Sequence, residues 1–151
     1  MHYFAYGNLM DINVMRRIAP TATAVAVARL DDHQISFKRC SDPAQAGCTL
    51  DTVAGSETWG IQYELSAEDM ATLDKAAGVP AGHWERKSVT LRDAEGAEHE
   101  STTYVIPGPS GAYSPPTTYV DPIFRGARDF DLPGDYVAKL EKIIGDAQKG
   151  A

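Results

Sequence analysis

The sequence is poor in positive charge. Its 151 residues hold 14 Lys and Arg against 21 Asp and Glu, a formal charge of −7. Nucleic-acid binding needs a basic face to displace counterions, so the acidic balance disfavours that class, and it disfavours a polybasic membrane anchor. No apolar run approaches the roughly 18 residues that span a bilayer. The opening Met1-His2-Tyr3-Phe4-Ala5-Tyr6-Gly7 lacks the basic start and apolar core of a secretion signal, which predicts a cytoplasmic protein. Cysteine is scarce. Cys40 and Cys48 flank a loop, and two free thiols are expected in a reducing compartment, although their spacing leaves a pair open. Neither belongs to a Cys–His nucleophile signature. Without a CxxC, and with His2, His33, His83 and His99 scattered, no zinc pattern exists. Phosphate-binding glycine loops, GxSxG and internal repeats are also missing.

What remains is an ordinary globular balance, 43% hydrophobic and 23% charged. The length fits one domain over residues 1–151, large enough to bury about two thirds of its unfolded surface. His2 to Tyr6 reads as a buried strand ending at a Gly7-Asn8 turn. Asp11 is placed to cap a helix with Val14, Met15 and Ile18 on one face, stopped before Pro20. Thr21 to Arg39 alternates, with Val25, Val27, Ile35 and Phe37 facing one way, and Leu30-Asp31-Asp32-His33 reads as a turn between two strands. Ser41 to Gly47 reads as a loop.

Trp59, Ile61, Tyr63 and Leu65 alternate along the next strand. Ser66 then caps a helix, with Asp69 reaching back as in a capping box and Met70 and Leu73 facing the core. Gly78 and Pro80 end it. Trp84 to Arg92 and Glu100 to Ile106 read as a hairpin turned at Asp93-Ala94-Glu95-Gly96. Pro107 to Pro116 is a loop. Helices follow near Tyr119 to Phe130 and Asp135 to Gly145. The first admits Pro122 only in its opening turn. Arg125 and Arg128 are expected to pair with Asp121 or Asp129. In the second, Tyr136, Leu140, Ile143 and Ile144 form an apolar stripe. Left exposed, that stripe would give a homodimer surface. The mixture is α+β, with a curved or barrel-like sheet as its simplest closure.

Several segments resemble the gamma-glutamylcyclotransferase family. Tyr3-Phe4-Ala5-Tyr6-Gly7-Asn8-Leu9 resembles its opening YFAYGSNL signature, and Leu73-Asp74-Lys75-Ala76-Ala77-Gly78-Val79 its LDxxEGV segment. Gly82-His83-Trp84 falls where the family has Gly-x-Tyr. Tyr113-x-Pro115-Pro116-x-x-Tyr119 is similar to its proline-rich loop. Gly126-Ala127-Arg128 and Leu132-Pro133-x-Asp135-Tyr136 are similar to its closing run. The resemblance covers almost the whole chain in the family's order. It implies a small mixed β-barrel flanked by helices, a small γ-glutamyl compound as partner, and no metal or organic cofactor. The implied reaction is attack of the γ-glutamyl α-amine on its own γ-carbonyl. It yields 5-oxoproline and a free amine, with a carboxylate carrying the proton between them. The glycine turn would present backbone N–H groups to the ligand. The substrate-binding positions implied are Tyr6, Gly7, Asn8, Leu9, Trp84 and Tyr113.

Three departures stand out. The family's proton-carrying glutamate falls at position 77, which is Ala77 here; losing such a group typically costs about 10²–10⁴-fold in rate. The turn is one serine short, with Asn8 able to adopt left-handed backbone in its place. Trp84 stands where the family has tyrosine. Three readings stay open: a glutamate exchanged to trap a bound substrate, a non-catalytic relative that binds a small ligand or serves as an interaction domain, or another acid in the role. Asp74, Glu57 and Glu85 are the nearest acids in sequence. Their plain readings are a capping acid, turn chemistry and, for Glu85, which alternates with Arg86 on its strand, a cross-strand surface pair. His83 reads as a surface histidine or a proton carrier. Tyr113 either closes the pocket or packs on Pro115.

Overall fold

The computed structural model describes residues 1–150. The elements in chain order are β1 (His2–Ala5), α1 (Ile12–Ile18), β2 (Thr23–Arg39), β3 (Ala46–Glu64), α2 (Ala67–Ala76), β4 (Glu85–Asp93), β5 (Glu98–Val105), β6 (Gly111–Ala112), α3 (Thr117–Asp129) and α4 (Gly134–Gly150). Short 3-10 turns stand at Asn8–Met10 and Val79–Ala81. The strand order is β3-β1-β5-β4-β2, and β2 pairs back onto β3, so five strands close into a barrel. β1 runs parallel to β5 and the remaining pairs are antiparallel; β6 adds a short edge to β2. The fold is therefore the expected α+β mixed barrel flanked by helices. No helix among the described residues is long and apolar enough to cross a membrane.

β2 and β3 are single long strands, which corrects three expectations. The segment from Leu30 to His33 is no turn: β2 runs through it with a register shift between Asp31 and His33. Asp32 takes a left-handed φ of 61°, and its carboxylate accepts the N–H of Gly55 at 2.9 Å. The side chain thus stabilises a kink rather than a reversal. A second shift between Ala24 and Ala26 makes Val25 the extra residue, so it stands 46% exposed instead of facing the core. β3 also starts well before Trp59. Its middle, Thr52 to Gly55, is exposed and carries no alternating pattern.

Ser66 caps α2 as expected, accepting the Asp69 N–H at 3.0 Å. The Asp69 carboxylate does not reach back. It binds the Thr21 N–H at 2.8 Å and the Thr21 hydroxyl at 2.5 Å, tying α2 to the chain before β2. α3 starts at Thr117, so Pro122 lies in its second turn, and the carbonyl it leaves unpaired belongs to exposed Thr118. Arg125 crosses to Asp11 at 2.8 Å rather than to a neighbour on its own helix. Tyr136, Leu140 and Ile144 are buried in the chain's own core, and Ile143 is half-buried beside them. Cys40 and Cys48 are both free and buried.

Candidate functional site

At the end of β1 the chain leaves the barrel through Tyr6 and Gly7 and turns at Asn8–Met10. The turn closes with Met10 N–H to Gly7 O at 3.0 Å and Asp11 N–H to Asn8 O at 3.2 Å. The N–H groups of Gly7, Asn8 and Leu9 take no part in those two bonds, and that of Asn8 is directed at the Cys48 thiol. Gly7 is needed for close approach, because a Cβ would lie 2.5 Å from the Cys48 sulfur. Asn8 has no left-handed backbone; it opens the 3-10 turn.

Beside this turn lies a cavity of about 180 Å³. Strands and α3 supply its floor: Tyr3, Tyr6 and Gly7 at β1, Cys48 on β3, Tyr104 on β5 and Tyr119 on α3. Leu73 closes one wall, and Asn8, Leu9, Ile18, Ala76, Ala77 and Trp84 line the rest. The floor is locked by hydrogen bonds. Cys48 donates its N–H to the Tyr119 hydroxyl (2.8 Å) and accepts at its carbonyl from Trp84 Nε1 (3.0 Å). Tyr6 donates its hydroxyl to the Tyr104 carbonyl at 2.6 Å. Gly47 permits this closure, since a Cβ there would lie 2.5 Å from the Tyr119 hydroxyl.

Burial pushes the Tyr6, Tyr104, Tyr119 and Cys48 protons to higher pH, so all four stay neutral near pH 7. No Asp, Glu, His, Lys or Arg lines the cavity. Ala77 is the C-cap of α2 and presents a methyl group there, while Gly78 ends the helix with a φ of 67°. Asp74 is close but engaged: Arg86 grips both its oxygens (3.0 and 2.7 Å) and the Tyr104 hydroxyl donates to it at 2.6 Å. Burial alone would raise the Asp74 carboxyl. The Arg86 and Tyr104 hydrogen bonds outweigh it and hold the group below the usual carboxylate range. A carboxylate so held is a weak base.

Glu57 is a strand residue paired with Arg29 at 3.2 Å, not turn chemistry. Glu85 is exposed at the start of β4 opposite Val105, so no cross-strand charge pair forms there, and Arg86 belongs to Asp74. His83 packs against Gly78 outside the lining. Of the positions read from the sequence, Tyr6, Gly7, Asn8, Leu9, Ala77 and Trp84 come together at the cavity. Tyr113 does not. It stacks edge-on to Tyr119 with ring centres 6.2 Å apart and so touches the floor at one remove. Sequence reading missed Cys48, Tyr104 and Ile18. Tyr119 was quoted in a motif without a role; nothing local marks Cys48 or Tyr104.

A closed mixed barrel with a helix-rimmed cavity at the end of its first strand defines a fold class, and comparison with known proteins identifies it. The profile of the AIG2-like family matches residues 57–140. Gamma-glutamylcyclotransferase from Bos taurus is 31% identical over 98% of this chain and 81% of its own length. The Mus musculus protein of the same name is 30% identical over the same shares. A solved structure of a gamma-glutamyl cyclotransferase superposes with a TM-score of 0.88, at 25% identity and 99% coverage of both chains. The chain belongs to the AIG2-like, gamma-glutamylcyclotransferase family.

Proposed function

We propose that the cavity binds a γ-glutamyl amine and that the chain, with Ala77 in place of an acid, is impaired in cyclising it to 5-oxoproline. One observation carries this reading: an intact cavity of about 180 Å³ whose lining contains no group able to move a proton near pH 7. The Gly7–Leu9 turn would offer N–H donors to the ligand's carboxylate. The negative end of α2, at Ala77, favours its α-ammonium. In cyclisation the α-nitrogen bonds to the γ-carbon and the γ C–N bond breaks. The proton lost by the α-ammonium must reach the departing amine. Holding the ligand folded supplies proximity, but nothing in the lining carries that proton.

The test is Ala77→Glu against the parent on a panel of γ-glutamyl amines and glutathione, with 5-oxoproline followed by mass spectrometry. A rise of about 10²-fold or more in the variant is expected. Equal turnover by both would place the proton carrier elsewhere and refute the assignment. Binding without turnover by the parent supports the ligand-binding half of the reading.

A further inference from the structure

Arg86, Asp74 and Tyr104 form a chain of hydrogen bonds that runs from the outside of the barrel to the cavity floor. Arg86 on β4 and Tyr104 on β5 are directly opposed in the antiparallel register, so their side chains leave the same face of the sheet. Asp74 comes down on both from α2. Arg86 grips its two oxygens as a fork, Nε to Oδ1 at 3.0 Å and Nη2 to Oδ2 at 2.7 Å, and the Tyr104 hydroxyl donates to Oδ1 at 2.6 Å. Asp74 lies one turn before Ala77, so this bond holds the Tyr104 hydroxyl beside the end of α2 that lines the cavity.

A hydroxyl has one proton to donate. With that proton on Asp74, the Tyr104 oxygen has only lone pairs left for the cavity. It then accepts from a cation and repels an anion. This polarity depends on the charge of Asp74. A protonated carboxyl would have its own proton to donate, and the tyrosine proton would be free to turn into the cavity. Burial favours the protonated form, and the fork from Arg86 opposes it. The titratable groups that bear on Asp74 are Arg86 from β4 and Tyr104 from β5; Tyr104 in turn faces Tyr3 on β1, which burial keeps neutral.

We infer that Arg86 and Asp74 are positioning residues for ligand binding, which together fix the Tyr104 hydroxyl as an acceptor for the α-ammonium of the bound γ-glutamyl compound. Neither residue lines the cavity; both act through Tyr104, which does. The inference rests on the γ-glutamyl reading proposed above and adds how the α-amine is recognised.

Calorimetric titration of the whole chain with two probes tests it: γ-glutamyl methylamide, and its analogue without the α-amine, the monomethylamide of glutaric acid. Both probes keep their charges from about pH 5.5 to about pH 7. The parent's affinity for the γ-glutamyl probe is expected to stay flat over that range, because Arg86 holds Asp74 ionised throughout. In Arg86→Met burial acts unopposed and the Asp74 carboxyl rises towards the same range. Affinity should then fall with falling pH, by about threefold or more between pH 7 and pH 5.5, as the ionised, binding-competent fraction shrinks. Adding Tyr104→Phe to Arg86→Met should abolish that pH dependence. Asp74→Asn, on a separate element, guards against a folding defect in the first variant. It should weaken the γ-glutamyl probe by about tenfold at every pH and leave the probe without the amine nearly unchanged, whereas a loosened cavity would lose both alike. An Arg86→Met protein that follows the parent's pH profile, or an Asp74→Asn protein that loses both probes equally, overturns the inference while leaving the γ-glutamyl reading standing. Failure of the γ-glutamyl probe to bind the parent and Ala77→Glu overturns both.

Discussion

Gly126 offers a direct test of how packing behind the cavity holds its turn. A methyl group added there would lie within 2.5 Å of the Met10 carbonyl oxygen, whereas ordinary contact begins near 3.4 Å. Gly126→Ala therefore has to open a gap of about 1 Å, by the difference of those two distances. The obstacle is backbone, so no side-chain rotation relieves it. Met10 is fully buried, and its carbonyl already accepts from Tyr63 at 3.3 Å. Either α3 lifts away, carrying Tyr119, or the turn bearing Asn8 and Leu9 moves. Overpacking of this kind costs about 1–3 kcal/mol. The better helix propensity of Ala returns about 0.5–1 kcal/mol. The net loss is about 0–2.5 kcal/mol, and its midpoint near 1 kcal/mol lowers Tm by about 2–4 °C for a chain of this size. A displacement near 1 Å at the turn should also weaken γ-glutamyl binding by about tenfold or more. Urea unfolding at pH 7 and calorimetric binding read the two effects. Gly145→Ala is the control: nothing lies within 4 Å of its added methyl, so it should gain stability by about 0.5–1 kcal/mol. A Gly126→Ala protein as stable as its parent, with unchanged binding, refutes the reasoning.

Two further outcomes follow from the ion pair and the locked floor. Asp11 caps α1 through the Asn13 N–H at 2.9 Å and receives Arg125 at 2.8 Å; burial opposes its charge, but these bonds hold its carboxyl below the usual range. Its stabilisation is thus complete above the unfolded carboxylate value near pH 4 and fades as pH falls through the lower folded value. Asp11→Ala should cost about 1–2 kcal/mol at pH 7, given that Arg125 is half exposed, and the difference from the parent should shrink in acid; a pH-independent difference in urea midpoints would contradict it. Trp84→Phe removes the donor to the Cys48 carbonyl and should cost about 1–2 kcal/mol while weakening probe binding; unchanged affinity would remove Trp84 from the functional wall.

Local signals in the sequence were reliable where one short segment decides the outcome. Ser66 at the start of α2, Met70 and Leu73 on its inner face, and the Asp93–Gly96 reversal all depend on residues within a few positions of one another. β2 and β3 were obscured because an extra residue at Val25 and a left-handed Asp32 break the alternation without ending the strand. The site divides the same way. Tyr6 through Leu9 form one contiguous turn, and Ala77 falls in a motif, so resemblance alone pointed to them. Cys48 and Tyr104 enter through strand register, and Asp11 meets Arg125 across 114 positions. Periodicity carries no information about which strands will be neighbours.

The bond from Tyr6 to Tyr104 spans 98 residues, and the one from Thr103 to Phe4 spans 99. β1, which precedes every other strand of the barrel, is thus the one that the sheet encloses between β3 and β5. During biosynthesis it waits with open edges until residues 61–64 emerge, and on its other side until β5 does. Such delayed, non-local pairing makes folding slow and leaves an aggregation-prone edge in the nascent chain. A ribosome-bound fragment ending before β5 has an unclosed barrel and a pocket floor without Tyr104 and Tyr119. The cavity is therefore complete only once β5 and α3 have joined β1, and a chaperone that shields β1 until then would act on the segment that waits longest for its partners.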